Sequence, residues 1–422
     1  MLDAAVFDTP GAEERLCLRG DYRAAAARVR ALARREKELI DQKRRIMQEI
    51  DADTKPLRKD ASMHQSLAWY DRVRSGSERL SELDAELMPC KKELYQALGE
   101  LPNIPADDAP ARVLFTTDAE KQRGASGTAV HRIAARLGMN GTDGAAQAEA
   151  AHVIAARLGL SDLHGAATVA RMGFQLLTGE GPRLSRACAA LLRGAFEAEG
   201  YAEVMLPALI CEDALFAAAE LPFRREALYP AKKKLFVPPV SCAGLIAMRG
   251  DEIMDEAALP MRFFAQGTGV EEQFHFPGSE QRAYTAAAAF FRDGDGAGES
   301  GRLCERLRGV FHSLGIPFRI VTRAARELPA AAERAVAVEV FLPAQGRWET
   351  AAQVCGCGTY LGRRAGIRTR AHEEDKPRPA EVVTALLYHD AVLAAVLEEH
   401  YQAPGVLELP PALGGGRLPA VE

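Results

Sequence analysis

The chain has 422 residues, enough for two or three domains, and its 48% apolar content supports sizeable cores. Eight cysteines in that length do not make a disulfide scaffold, no apolar run approaches the ~18–20 residues of a membrane span, and the start MLDAAVFDTPGAEERL lacks the basic and apolar parts of a signal peptide. A net charge of −5 selects no partner, so the expectation is a cytoplasmic protein with no membrane partner.

From Tyr22 to Gly99 the chain is poor in Pro and Gly and rich in Ala, Arg, Glu, Lys and Leu. Val29, Leu32, Leu39, Ile46 and Ile50 follow a heptad pattern. Val73, Leu80, Leu87, Leu94 and Leu101 form a cleaner one, with Leu83, Cys90 and Ala97 as companions. Sustained heptads predict a coiled coil. DADTKPLRKDASM reads as the turn between two helices of roughly 35 residues, a projection of about 50 Å at 1.5 Å per residue. Pro89 is expected to kink or weaken the second helix. Tyr22–Asp60 carries 12 basic against 7 acidic residues, whereas Ala61–Glu100 carries 5 against 7. Lys43, Arg44, Arg45, Lys55, Arg58 and Lys59 therefore form either a phosphate-contacting cluster or a solvated coiled-coil face.

LPNIPADDAP, rich in proline, is a domain boundary. Beyond it, 131–146 and 152–167 match at 10 of 16 positions, a local duplication rather than a solenoid. His131 and His152 read as helix-start or surface residues.

From Leu184 helices and strands mix. Leu184–Gly200 is an amphipathic helix, and CEDALFAAAEL opens a short one. YAEVMLPAL is a strand broken by Pro207; KKLFVPPV, MRFFAQ, FRIVTRA and AVEVFLP are further strands. Leu303–Leu314 and Leu386–Tyr401 are helices, Lys232–Lys234 a solvated turn and Gly294–Gly301 a loop. The fold class is α+β: an N-terminal antiparallel helical arm, then an antiparallel sheet flanked by helices. Cys242, Cys355 and Cys357 lack the spacing and fourth ligand of a zinc site, so no metal ligands are assigned.

Several blocks in order resemble the bacterial seryl-tRNA synthetases, a class II aminoacyl-tRNA synthetase family. They are the hairpin with its LPNIP exit, HVIAARLGLSDLHGAATVA, GYAEVMLPALICEDALF with Pro207 at the proline of motif 1, DEIMDEAALPMRFFA before motif 2, VEVFLPAQGRWE, RRAGIRTR, VLAAVLEEHYQ at the tail of motif 3, and VLELPPALGG. The resemblance implies a tRNA-binding-arm-like hairpin over 1–101, a linker and lead-in over 102–183, and a class II core over 184–422. It further implies a homodimer through motif 1, tRNA on the arm, and ATP, Mg and serine in the core.

The places where the family keeps its chemistry read differently. Val240 stands at the threonine and Cys242 at the glutamate of the serine-binding element. Glu271 and Gln273 stand at the arginine and glutamate of motif 2. Ala286, Ala287 and Ala288 replace an Arg-Gln-His run. Thr350 takes a late glutamate's place, with Glu349 beside it on the opposite strand face. Asp390 and Ala391 close a motif 3 without glycine. Arg363, Arg364 and Arg368 are retained, as expected of surface or dimer residues. Glu271 beside a polyphosphate would turn attraction into repulsion, about 4 kcal/mol for one pair at 4 Å and an effective dielectric of 20. The expected function is thus a homologue unable to activate serine, with no bound cofactor, acting by tRNA or partner binding. An active serine–tRNA ligase, using ATP and Mg, and an adenylating enzyme for another acid are the alternatives.

Overall fold

The computed structural model describes residues 1–53, 63–110, 114–116, 149–170, 174–270, 281–402 and 405–419. Contacts divide it into two units, Met1–Pro102 and Asn103–Glu422.

The first unit is the helical hairpin. Helix α1 spans Arg23–Asp53 and α2 spans Met63–Gly99, and the two pack along their length. The expected turn falls largely at 54–62, outside the described residues. Val29, Leu39, Ile46, Leu87, Leu94, Ala97 and Leu101 are buried, as their heptad places require. Helix α2 continues through Pro89, which lies exposed. A proline removes one intrahelical bond and crowds the preceding turn, and here that loss falls on the solvent side of a 37-residue helix. Ion pairs lace the two helices: Arg35–Glu86 at 2.7 Å, Lys43–Asp84 at 2.5 Å and Arg79–Glu49 at 3.4 Å. Residues 1–22 fold against the base, where Leu16 and Phe7 are buried and Arg30 meets Glu13 at 2.5 Å.

The second unit is built on an eight-stranded sheet. In chain order its elements are β1 (Leu114–Thr116), α3 (Ala151–Arg157), α4 (Gly181–Ala198), β2 (Ala202–Glu203), α5 (Ala243–Ala247), β3 (Met261–Val270), β4 (Gln281–Phe291), α6 (Glu299–Ser313), β5 (Phe318–Thr322), β6 (Arg334–Leu342), β7 (Arg347–Gly356), β8 (Glu381–Tyr388) and α7 (His389–His400). The strand order is β1-β5-β6-β7-β8-β4-β3-β2, antiparallel except for the β2–β3 pair at one edge. Helices α4, α6 and α7 pack on one face, over Phe264, Ala287, Val338, Val354 and Ala385. Phe196 of α4 stacks on Phe264 at 5.7 Å, which fixes that face. The other face carries Phe263 and Phe290, 6.4 Å apart, with the Arg249 guanidinium over Phe263.

Three sequence expectations change. The alanine run of β4 is a strand, and together with β8 it forms the middle of the sheet. Leu386–Tyr388 belong to β8, so the last helix starts only at His389. Glu299–Gly301, expected in a loop, open α6. The YAEVMLPAL strand shrinks to Ala202–Glu203, because Pro207 cannot extend a ladder. Among the described residues, no helix is long and apolar enough to cross a membrane.

Candidate functional site

The sheet face opposite α4, α6 and α7 is where the residues singled out from sequence converge. Ala286 and Ala288 of β4 are fully buried on it, opposite Leu386 and Thr384 of β8. What covers them is the segment leading into α5. Gly269 is bare because a Cβ there would lie 2.6 Å from the Val240 nitrogen, and the Val270 amide donates to Pro238 O at 3.0 Å. Val240 and Cys242 are buried beneath this clamp. The Cys242 thiol lies 3.4 Å from two backbone carbonyls, Ala287 O and Ala385 O, on neighbouring strands. Thus the residue at the glutamate place of the serine-binding element packs against the backbone of the central strands.

Cys355 and Cys357 lie close enough to interact electrostatically with Cys242, so the three cysteines do come together. Burial pushes the Cys242 and Cys357 thiols well up, and both are protonated near neutral pH. Among the described residues no three His, Cys, Asp or Glu side chains are arranged to hold a metal ion.

On β7, a bulge between Thr350 and Ala352 sets the faces. Thr350 pairs with Glu339, and its hydroxyl accepts from Arg323. Glu339 also takes Arg323 at 2.9 Å and Arg319 at 2.6 Å, while Arg319 stacks on Trp348 at 4.4 Å. Glu349 pairs with Val340, a residue of the helix-side core, so it cannot stand in for Thr350.

A second charge cluster lies at the start of β4. Arg282 is buried, donates to Asp390 Oδ2 at 2.9 Å, lies over the Tyr388 ring at 4.2 Å, and approaches Glu349 at 4.0 Å. Arg347 completes it, 2.6 Å from Glu349. Burial pushes both carboxyl groups up, against the pull of the arginines. Sequence reading missed this cluster because Arg282 and Asp390 are 108 residues apart and neither completes a local motif. Ala391 is buried in the helix-side core.

A magnesium nucleotide needs donors and charge for its phosphates and free carboxylates for the metal. The described face offers buried alanines and a thiol, and its arginines are already committed to carboxylates. These residues do not fit such a group. Glu271 and Gln273 lie outside the described residues.

The retained arginines differ in role. Arg364 is buried rather than at a surface: it donates to Phe216 O and Leu221 O and stacks on Phe216 at 3.8 Å. Arg368 is exposed. In the hairpin, Lys43 is held by Asp84 and Arg44 by Asp41, and Arg45 is exposed. Lys55, Arg58, Lys59 and His131 lie outside the described residues.

An antiparallel sheet with three helices on one face and a strand-edge proline segment beside it defines the class II aminoacyl-tRNA synthetase fold. The seryl-tRNA synthetase from Pyrococcus horikoshii complexed with ATP superposes over all of both chains with TM-score 0.83 at 18% identity. The cytoplasmic serine–tRNA ligase from Naegleria fowleri in complex with AMP does so with TM-score 0.75 at 16% identity, over 100% of this chain and 99% of that one. By sequence, the chain is a homologue of the serine–tRNA ligases: it is 26% identical to that of Paramagnetospirillum magneticum over 401 residues, 89% of this chain and 90% of the relative. It is also 26% identical to that of Brucella canis over 332 residues, 76% and 74% of the two chains. No family model matches the chain.

Proposed function

We propose that this homologue has lost serine activation and works by binding, with tRNA on its helical arm or a partner protein, as a homodimer. One observation carries the reading: Ala286 and Ala288 form a fully buried floor, and Cys242 packs on the backbone beside them. Adenylation requires preorganised positive charge along a polyphosphate, and losing such stabilisation removes several kcal/mol from the transition state. Alanine and a protonated thiol supply none. The arginines of the described face support the same reading, since Arg282 is fixed to Asp390 and Arg319 and Arg323 to Glu339.

Serine-dependent ATP–pyrophosphate exchange tests the proposal. No exchange above background is expected, with serine tRNA still shifted on a native gel. Exchange and serylation by the purified protein would replace this reading with an active serine–tRNA ligase using ATP and Mg. Exchange driven by another carboxylic acid would make it an adenylating enzyme for that acid.

A further inference from the structure

Away from the sheet face of Ala286 and Ala288, a cavity of about 60 Å³ opens between α3 and α7. It shares no residue with that face. Asp390 is the single formally charged residue among those that line it. His152, Ser161, Gln175 and Phe174 line it as well, with Leu393 and Leu397 of α7 forming an apolar wall.

Three polar atoms of this lining have no hydrogen-bond partner: Asp390 Oδ1, His152 Nδ1 and Ser161 Oγ. The Asp390 side chain is only 7% exposed. Arg282 engages its other oxygen, Oδ2. The Asp390 and Ala391 amides lie near enough to favour the ionised carboxylate, yet neither reaches Oδ1 in hydrogen-bond geometry. A buried carboxylate oxygen without a donor is strongly unfavourable, so one such atom beside two more in one small cavity marks a place made for an occupant.

The chemistry of that occupant follows from the lining. All three atoms can accept a hydrogen bond: a carboxylate oxygen always, a hydroxyl readily, and an imidazole nitrogen when the proton sits on the other ring nitrogen. Three acceptors around one point match the three N–H donors of a primary ammonium. The volume holds a few water-sized groups at ~10–15 Å³ each, enough for an ammonium and the first part of its chain. The apolar wall suits methylenes, and Leu163, half exposed, lines the mouth towards solvent.

We propose that this cleft binds a primary alkylammonium group through Asp390, His152 and Ser161, with its chain against Leu393 and Leu397. The group comes either from a free small amine or from a lysine side chain. His152, which the sequence marks only as a helix-start histidine, becomes a ligand-facing residue.

The test is calorimetric titration of the full-length protein with n-butylammonium chloride, with n-butanol as the neutral match. Saturable one-site binding is expected, at least tenfold tighter than for n-butanol. Ser161→Ala should weaken it about tenfold, the effect of losing one hydrogen bond to a charged group. Ala394→Leu, which fills the cleft without touching the Arg282–Asp390 pair, should abolish it. Dilution heat alone, equal binding of n-butanol, or binding unchanged in both variants would overturn the proposal. A crystal structure of the soaked wild-type protein keeps the question open to decision if a variant misfolds. An amine on the three atoms supports the site, and water alone at those atoms sinks it. N-acetyl-lysine methylamide binding more tightly than butylammonium assigns the site to a protein side chain, and weaker binding assigns it to a free amine.

Discussion

Arg282 is buried between two carboxylates, and its removal would leave both uncompensated. Arg282→Met should therefore destabilise the second unit by about 3–5 kcal/mol at pH 7, the usual effect of breaking a buried pair from one side. The pH dependence gives a second readout. Asp390 already has its carboxyl raised by burial, with Arg282 the leading opposing influence. Without Arg282 the folded state would bind a proton at Asp390 more tightly than the unfolded state does. Stability then rises as pH falls, so the deficit of the variant should shrink between pH 7 and 5 in urea titrations. A deficit that stays constant or grows would show that Arg282 acts by packing on Tyr388 alone. His389 points the opposite way. It is buried, its Nε2 lies 2.7 Å from the Thr285 hydroxyl, and burial lowers it to about 4. Its folded value lies below its unfolded value of about 6.5, so the unfolded chain takes up a proton first as pH falls. This residue alone should remove roughly 3 kcal/mol of stability between pH 6.5 and 4, at 1.36 kcal/mol per unit. His389→Gln should flatten that slope in urea midpoints measured across the range; an unchanged slope would place the titration elsewhere.

Strand β3 and the segment before α5 are locked by one glycine. Gly269→Ala would press a Cβ against the Val240 backbone, which cannot swing aside as a side-chain tip can. Overpacking of this kind costs about 1–3 kcal/mol, and a thermal melt should fall accordingly. Cys242 should lose its seat over Ala287 and Ala385 at the same time, so thiol labelling of the native protein should quicken. A variant as stable and as slowly labelled as wild type would mean that the clamp does not hold this segment. How far such elements show in sequence depends on the kind of signal. The hairpin is legible because a heptad is local and repeats, and Leu87, Leu94 and Leu101 are buried where the pattern puts them. Strands β5 and β6 are legible through their β-branched and aromatic residues. Strand β4 is hidden, since alanine favours helices and alternation disappears when both faces are buried. Strand β8 is hidden by a helix pattern running back from α7 into Leu386. At the site, the positions of Val240, Cys242, Ala286 and Thr350 were legible, but the Arg282–Asp390–Glu349 cluster was not, because it exists only once β4, β7 and α7 meet.

For the molecule as a whole, the division into two units sets what the arm can do. The second unit holds its own core on the eight-stranded sheet, so removing Leu32–Leu94 behind a short linker should leave its melting transition in place. If the arm carries tRNA, the same deletion should weaken a tRNA gel shift at least tenfold. The ion pairs within the hairpin refine the expectation. Lys43 and Arg44 already meet Asp84 and Asp41, so each must exchange a carboxylate for a phosphate to contribute. Both pairs are partly exposed and therefore individually weak, so the exchange is feasible but limits the gain. The salt dependence of binding should then be shallow, reporting a few phosphates rather than all six basic residues of the cluster, since each neutralised phosphate adds just under one unit to the slope of log affinity against log salt. Asp84→Asn frees Lys43 and should steepen that slope and tighten binding. Affinity unmoved by both the deletion and Asp84→Asn would remove the arm as the RNA surface and leave a protein partner as the reason this chain keeps its hairpin.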